Sequence, residues 1–223
     1  MARRTKEEAQ ATRNRILDTA EVVFQRRGVS RTTLQEVAEA AGVTRGAIYW
    51  HFRDKAELFN AMMDRVILPL EQQALHGPAP DDPLEALRRS FVDAMRKSVS
   101  DAQVRRVFEI ASHKVEYVDE LEAVRDRRLA TRETWVAHSE RALRQAVREG
   151  RMTLSVPARA AALGLYALID GVIQNWMLDP EAFDLVRTGR QILDAYLAGL
   201  STAAAPVRAA ARRTAGVVRR AGT

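Results

Sequence analysis

Residues 33–55 read TLQEVAEAAGVTRGAIYWHFRDK, and their spacing decides the fold. Two short helical stretches, about 34–41 and 45–51, are joined by almost no loop. Helices that cross steeply leave little room at their contact, and Ala38 supplies a small side chain there. Four residues later the chain must bend sharply, and Gly42 reaches a left-handed backbone without steric cost. Leu34, Val37, Ala41, Val43 and Ile48 complete a miniature core. Thr33 and Thr44 each stand just before a helix, where a hydroxyl can accept from the free amides. The pattern is that of a helix-turn-helix unit.

The second helix is only about two turns long and would not be stable alone. It presents Arg45, Gly46, Tyr49, Trp50 and His51, a basic and aromatic set that suits entry into a DNA major groove. Gly46 inside a helix costs roughly 1 kcal/mol, a cost that close approach to a nucleic-acid backbone would justify. Lys55 opposes the dipole at the start of the next helix unless its amine and the helix amides share a phosphate. Trp50 and Phe52 have a second reading, as packing against the flanking helices. Tyr49 reads as a groove or phosphate contact, and His51 as a cap or phosphate ligand. Arg3, Arg4 and Lys6 form either a basic arm or a frayed terminus.

Outward from this unit the pattern is helical throughout, without the alternation or hairpin turns of strands. Ile16, Leu17, Ala20, Val23 and Phe24 form a stripe that ends at Arg26, Arg27 and the stop residue Gly28. A fourth helix begins near Lys55 and carries Leu58, Phe59, Met62, Met63, Val66 and Leu70. The run HGPAPDDP at 76–83 reads as a surface loop. Further helices are expected at about 84–99, 102–114, 119–149, 156–177 and 182–200. In 119–149, Leu121, Val124, Trp135, Val136, Leu143 and Val147 face inward and Gly150 is the stop; Pro157 opens the next helix. The expectation is an all-α chain: a three-helix helix-turn-helix DNA-binding domain at 8–54, a larger helical ligand-binding and dimerisation domain at 55–201, and a disordered basic tail at 202–223.

Charge is uneven along the 223 residues. Residues 1–60 carry a net +3, residues 61–205 a net −2, and residues 206–223 hold five Arg and no acid. A basic head on a nearly neutral body is the footprint of nucleic-acid contact. No stretch approaches 18 uncharged apolar residues, so no membrane span is expected, and MARRTKEEAQATRNR lacks the apolar core of a secretory signal. Cysteine is absent, which removes disulfides and thiolate catalysis and suits a reducing compartment. His51, His76, His113 and His138 are scattered, without HExxH or paired metal-ligand spacing. No catalytic centre, metal site or cofactor is expected.

In the second half, polar groups stand among large apolar ones. Glu109, His113, Asp170 and Asn175 lie near Val92, Met95, Phe108, Ile173, Trp176 and Met177 in sequence, a mixture that suits an adaptable effector cavity. Each polar residue has an alternative as a satisfied core group or an exposed one. Ala160, Ala161, Gly164, Ala167 and Gly171 permit close helix packing, either between subunits or within one.

The stretch from Arg3 to Phe59, RRTKEEAQ through FRDKAELF, resembles the TetR family of bacterial transcriptional repressors, and more narrowly the efflux-pump repressors of the AcrR and TtgR type. RRVFEIASHKVEYVDELEAVRDRR and LIDGVIQNWMLDPEAFDL extend a weaker likeness to about residue 200. The resemblance implies a cytoplasmic homodimer on double-stranded operator DNA, joined through helices 156–177 and 182–200. It places Thr33, Thr44, Arg45, Gly46, Tyr49, His51 and Lys55 in or around the DNA surface. It further implies release from the operator of a neighbouring efflux-pump operon by a small hydrophobic or aromatic compound. A regulator of another pathway, an activator, or a helical adaptor that uses 33–55 only for packing are the alternatives.

Overall fold

A computed structural model describes residues 2–76 and 82–201. Its helices are α1 (Ala2–Arg27), α2 (Leu34–Ala40), α3 (Arg45–His51), α4 (Lys55–His76), α5 (Pro83–Ser100), α6 (Ala102–His113), α7 (Glu122–Arg148), α8 (Ala158–Leu178) and α9 (Leu185–Leu200), with a 3-10 turn at Asp119–Leu121. Most of the proline-rich stretch 76–83, the tail from 202 and the side chains of Arg3 and Arg4 lie outside the described residues.

The N-terminal unit α1 to α3, the head of the molecule, forms for the reasons its sequence gives. Ala38 is fully buried at the crossing, and Gly42 takes φ +63 between the two helices. Thr33 Oγ1 accepts from the Glu36 amide while Glu36 accepts from the Thr33 amide, a reciprocal cap. Hydrogen bonds from the Thr33 backbone and hydroxyl, with Arg27 nearby, hold the Glu36 carboxyl below its ordinary range. Thr44 Oγ1 accepts from the Ala47 amide at 3.1 Å, and removing such a cap costs about 1 kcal/mol.

Buried side chains do not break at residue 55. Ile16, Phe24, Ile48 and Phe52 of the head share one core with Leu58 and Met62 of α4, Val104, Val107 and Ile110 of α6, and Leu121 and Val124. A second core joins α5, α7, α8 and α9 through residues such as Leu87, Phe91, Leu143, Leu165 and Leu193. Helix α4 therefore belongs to the head and the body at once.

Several boundaries differ from expectation. The span 119–149 begins as a 3-10 turn before α7 starts at Glu122. Pro157 caps α8 with extended backbone (ψ 139) rather than lying inside its first turn. Helix α9 starts at Leu185, not 182, because Asp184 Oδ1 accepts from the Arg187 amide at 2.9 Å. Val147 faces solvent, and Ala146 takes the buried place in the last turn of α7. By length and composition, α8 is also apolar enough to cross a membrane, although Arg159 and Asp170 interrupt it.

Candidate functional site

Two places in the molecule carry functional geometry: the outer face of α3 and a cavity between α4 and α8. On α3, Ile48 points into the core and leaves the rest of the short helix outward. Trp50 is 73% exposed and Tyr49 47%. The Arg45 guanidinium lies 5.7 Å from the Tyr49 ring centroid, as expected for neighbours four apart on one helical face. Gly46 is exposed, and a Cβ there would meet nothing closer than Thr44 Oγ1 at 3.9 Å. His51 packs edge-on against Trp50, and burial, with Arg13 second, lowers its pKa.

The two aromatic readings part here. Phe52 is 1% exposed, with Arg13 over its ring at 5.0 Å, and is a core residue. Trp50 is not: its indole stands in solvent beside the basic and aromatic face. Lys55 also departs from expectation. Its side chain is buried, Nζ donates to the Ser30 carbonyl at 2.9 Å and pairs with Glu120 at 2.7 Å. These internal partners compensate a cation at this helix start, and they tie the head to the body through Lys55.

The cavity has a volume of about 140 Å³. Phe59, Met63, Ile67 and Leu70 of α4 form one wall, with Phe91 and Ala94 of α5 and Phe108, Ala111 and Ser112 of α6. Val124, Arg127, Arg128, Thr131 and Trp135 of α7 and Tyr166, Ile169, Asp170, Ile173 and Gln174 of α8 close it, with Tyr117 beside them. Arg127 Nε donates to Asp64 at 2.9 Å, so its charge is matched. Arg128 donates to the Ala111 carbonyl at 3.0 Å but meets Asp170 only at 3.5 Å. Burial holds the Asp170 carboxyl above its ordinary range, against Arg128 and a hydrogen bond from Gln174. Burial, with Asp170 second, pushes the Tyr166 phenol up to about 12. The lining is thus apolar and aromatic, with one loosely paired acid and base.

Of the expected effector residues, the structure brings Phe108, Asp170 and Ile173 together on this cavity. The others lie elsewhere. Val92 and Met95 are buried in the second core, one position round the helix from Phe91 and Ala94. Glu109 accepts from Gln25 of α1 at 2.7 Å, and His113 Nε2 lies 3.3 Å from the Gln174 carbonyl. Asn175 is exposed and donates to the Gly171 carbonyl at 2.8 Å. Trp176 is buried under Arg105 (5.4 Å to its ring), and Met177 packs on the second core. Each step along a helix turns about 100°, so sequence neighbours of a lining residue point away from it. The reading overlooked Phe59, Met63, Trp135, Tyr166 and both arginines. The signal for the first two was present, because the apolar positions of α4 form a stripe too wide for a single interior face.

Comparisons with known proteins follow the same division. The family described as bacterial regulatory proteins, tetR family, matches residues 16–62, and the C-terminal region of MAATS-type transcriptional repressors matches residues 82–202. The HTH-type transcriptional regulator TtgR of Pseudomonas putida is 42% identical over 188 residues, covering 83% of this chain and 90% of its own. Among solved structures, NalD, the secondary repressor of the MexAB-OprM multidrug efflux pump in Pseudomonas aeruginosa, superposes with a TM-score of 0.78 at 34% identity, over 86% of this chain and 98% of its own. The complex of SmeT with triclosan superposes with a TM-score of 0.76 at 34% identity, over 85% and 91%. SmeT is the repressor of the Stenotrophomonas maltophilia multidrug efflux pump SmeDEF.

Proposed function

The chain belongs to the tetR family of bacterial regulatory proteins, and from that premise we propose that it represses a multidrug-efflux operon in the bacterial cytoplasm and leaves the operator when a small hydrophobic or aromatic compound enters the cavity. The fold is that of a ligand-responsive, helix-mediated dimeric DNA-binding regulator. Arg45, Tyr49 and Trp50 are assigned to base edges and phosphates, with Thr33, Thr44, Gly46 and His51 close to the backbone. Lys55 is not carried into that set.

The observation that carries the reading is the position of Phe59. Its side chain lines the cavity, and its ring lies 6.3 Å from that of Phe24 in the reading head. A dry cavity of about 150 Å³ takes a single benzene ring, and the cavity here, about 140 Å³, is of that size. A two-ring effector must therefore move its wall. Displacing Phe59 shifts α4 and, through Phe24, the head. Such a compound favours a dimer whose heads no longer match the operator, as linkage requires.

The dimer seam is assigned to α8 and α9. Ala160, Leu163, Ala167, Asn175 and Leu178 are exposed at helical spacing on α8, and Gln191, Ala195, Ala198 and Gly199 on α9. An exposed stripe of mostly small and apolar groups, with Asn175 and Gln191 among them, on two adjacent helices suits packing against its own copy.

Purified protein bound to its own upstream intergenic DNA, with competitor DNA and a salt series, tests the proposal. A discrete complex released by hydrophobic aromatic compounds is expected, and release should be lost in Phe59→Ala while binding is kept. Specific binding that no compound in a broad panel reverses would reject effector control. No specific binding to upstream or genomic fragments would reject the operator reading.

A further inference from the structure

A second concavity, about 530 Å³, lies where the head meets the body, remote in character from the apolar cavity. Arg26, Arg27 and Arg31 of the head line it together with Lys114 and Glu116, which follow α6. Its two sides are joined by one backbone and one side-chain hydrogen bond: the Val29 amide donates to the Lys114 carbonyl at 2.8 Å, and Ser30 Oγ to the Glu116 carbonyl at 3.4 Å. The cleft is therefore a built junction rather than a gap between loose parts.

Its charges do not balance. Arg27 is paired with Glu36, which also caps α2. Arg26, Arg31 and Lys114 have no ion-pair partner among the described residues, and Glu116 is the remaining carboxylate on the wall. The C-termini of α1 and α6 offset part of this, each acting as roughly half a negative charge. Three cations against one carboxylate and two half-charges leave an excess of about one positive charge. Arg31, which lies on no helix, owes nothing to a dipole.

We propose that this cleft is an anion site for a phosphate group, held by Arg31 and Arg26 from the head and Lys114 from the body. Guanidinium forks and an ammonium are the side chains that take phosphate oxygens. A phosphate there joins head to body and fixes one head orientation, independently of whether the apolar cavity takes an effector. The group comes from a free phosphate-bearing anion or from the backbone of bound DNA, since the cleft includes the Glu36 that closes the cap on α2.

The test uses the full chain, the double variant Arg31→Gln/Lys114→Gln, and a control neutralised at two exposed cations elsewhere, Arg89→Gln/Lys97→Gln. Thermal unfolding is followed against inorganic pyrophosphate at constant ionic strength, and DNA affinity against salt. A saturable rise in Tm with pyrophosphate in the parent and control, abolished in the double variant, identifies a free-anion site. A salt slope shallower by roughly one per subunit in the double variant alone, without a pyrophosphate effect, identifies DNA phosphate. If the double variant matches the control in both measurements, with unchanged Tm in chloride buffer, the proposal is overturned.

Discussion

Glu21→Ala should destabilise the protein more than almost any other single change of a charged residue. Glu21 sits on α1 with only 2% of its surface exposed. Its Oε1 accepts from Arg65 of α4 and, at 2.7 Å, from Gln103 of α6; its Oε2 takes Arg106 at 3.4 Å. Removing one member of a buried ion pair costs about 3–5 kcal/mol when the partner is left uncompensated. Two features reduce that here. Arg65 keeps Asp18 at 2.7 Å, and the Arg106 side chain is 33% exposed, so water recovers part of the loss. We expect about 2–3 kcal/mol, which for a chain of this size lowers Tm by roughly 4–12 °C. Circular dichroism melts of the parent, Glu21→Ala, Arg106→Ala and the double variant measure both the loss and its coupling. A loss under about 1 kcal/mol, or additive effects, would mean that the network is solvated and carries no junction energy.

Other expectations follow from exposure and titration. Tyr49→Ala and Trp50→Ala should leave Tm within about 2 °C of the parent, because these side chains face solvent, yet reduce operator affinity at least tenfold; electrophoretic shift assays decide it. Leu163→Arg places a charge in the exposed stripe of α8 and should yield monomers by light scattering at micromolar concentration, with operator binding lost alongside. Burial, with Arg141 second, lowers the pKa of His138, whose Nε2 has no hydrogen-bond partner among the described residues. Because the folded value lies below the unfolded one, this residue's contribution is intact above about pH 6.5 and falls away as pH drops through the folded pKa. Melts from pH 7.5 to 5.5 should therefore slope less in His138→Gln than in the parent.

The sequence made the reading head legible because its constraints are local. A small residue at a crossing, a glycine at φ +63 and a hydroxyl before a helix all lie within residues 38–44, and each is found in place. The cavity is a non-local object. Phe59, Phe108, Trp135 and Tyr166 meet only after five helices pack, and no spacing within one helix reports that meeting. Listing polar residues among apolar ones found Asp170, but it also took Glu109, whose carboxylate is occupied by Gln25 across the head–body junction. The partners of Lys55 were out of reach for a related reason. A cation at a helix start calls for an anion, and the sequence cannot say that Glu120, sixty-five positions away, supplies it.

Lys55 and Glu109 take part in how the head is held. Lys55 to Ser30 and Glu120, Glu21 to Arg65, Gln103 and Arg106, and Gln25 to Glu109 are all polar contacts along the junction of head and body. The apolar core crosses the same junction without a break. A head fastened in this way cannot swing alone; it must move with α4 and α6, and both of those helices also wall the cavity. Packed interfaces change between discrete arrangements rather than bending smoothly. A small displacement of Phe59 is thus either absorbed by the cavity wall or passed on as a shift of the head, and in the symmetric dimer the same shift occurs twice. The spacing between two recognition helices is what a two-fold operator measures. On the mechanism proposed above, the rigidity of the junction, rather than any looseness in it, would make that spacing answerable to a cavity of about 140 Å³.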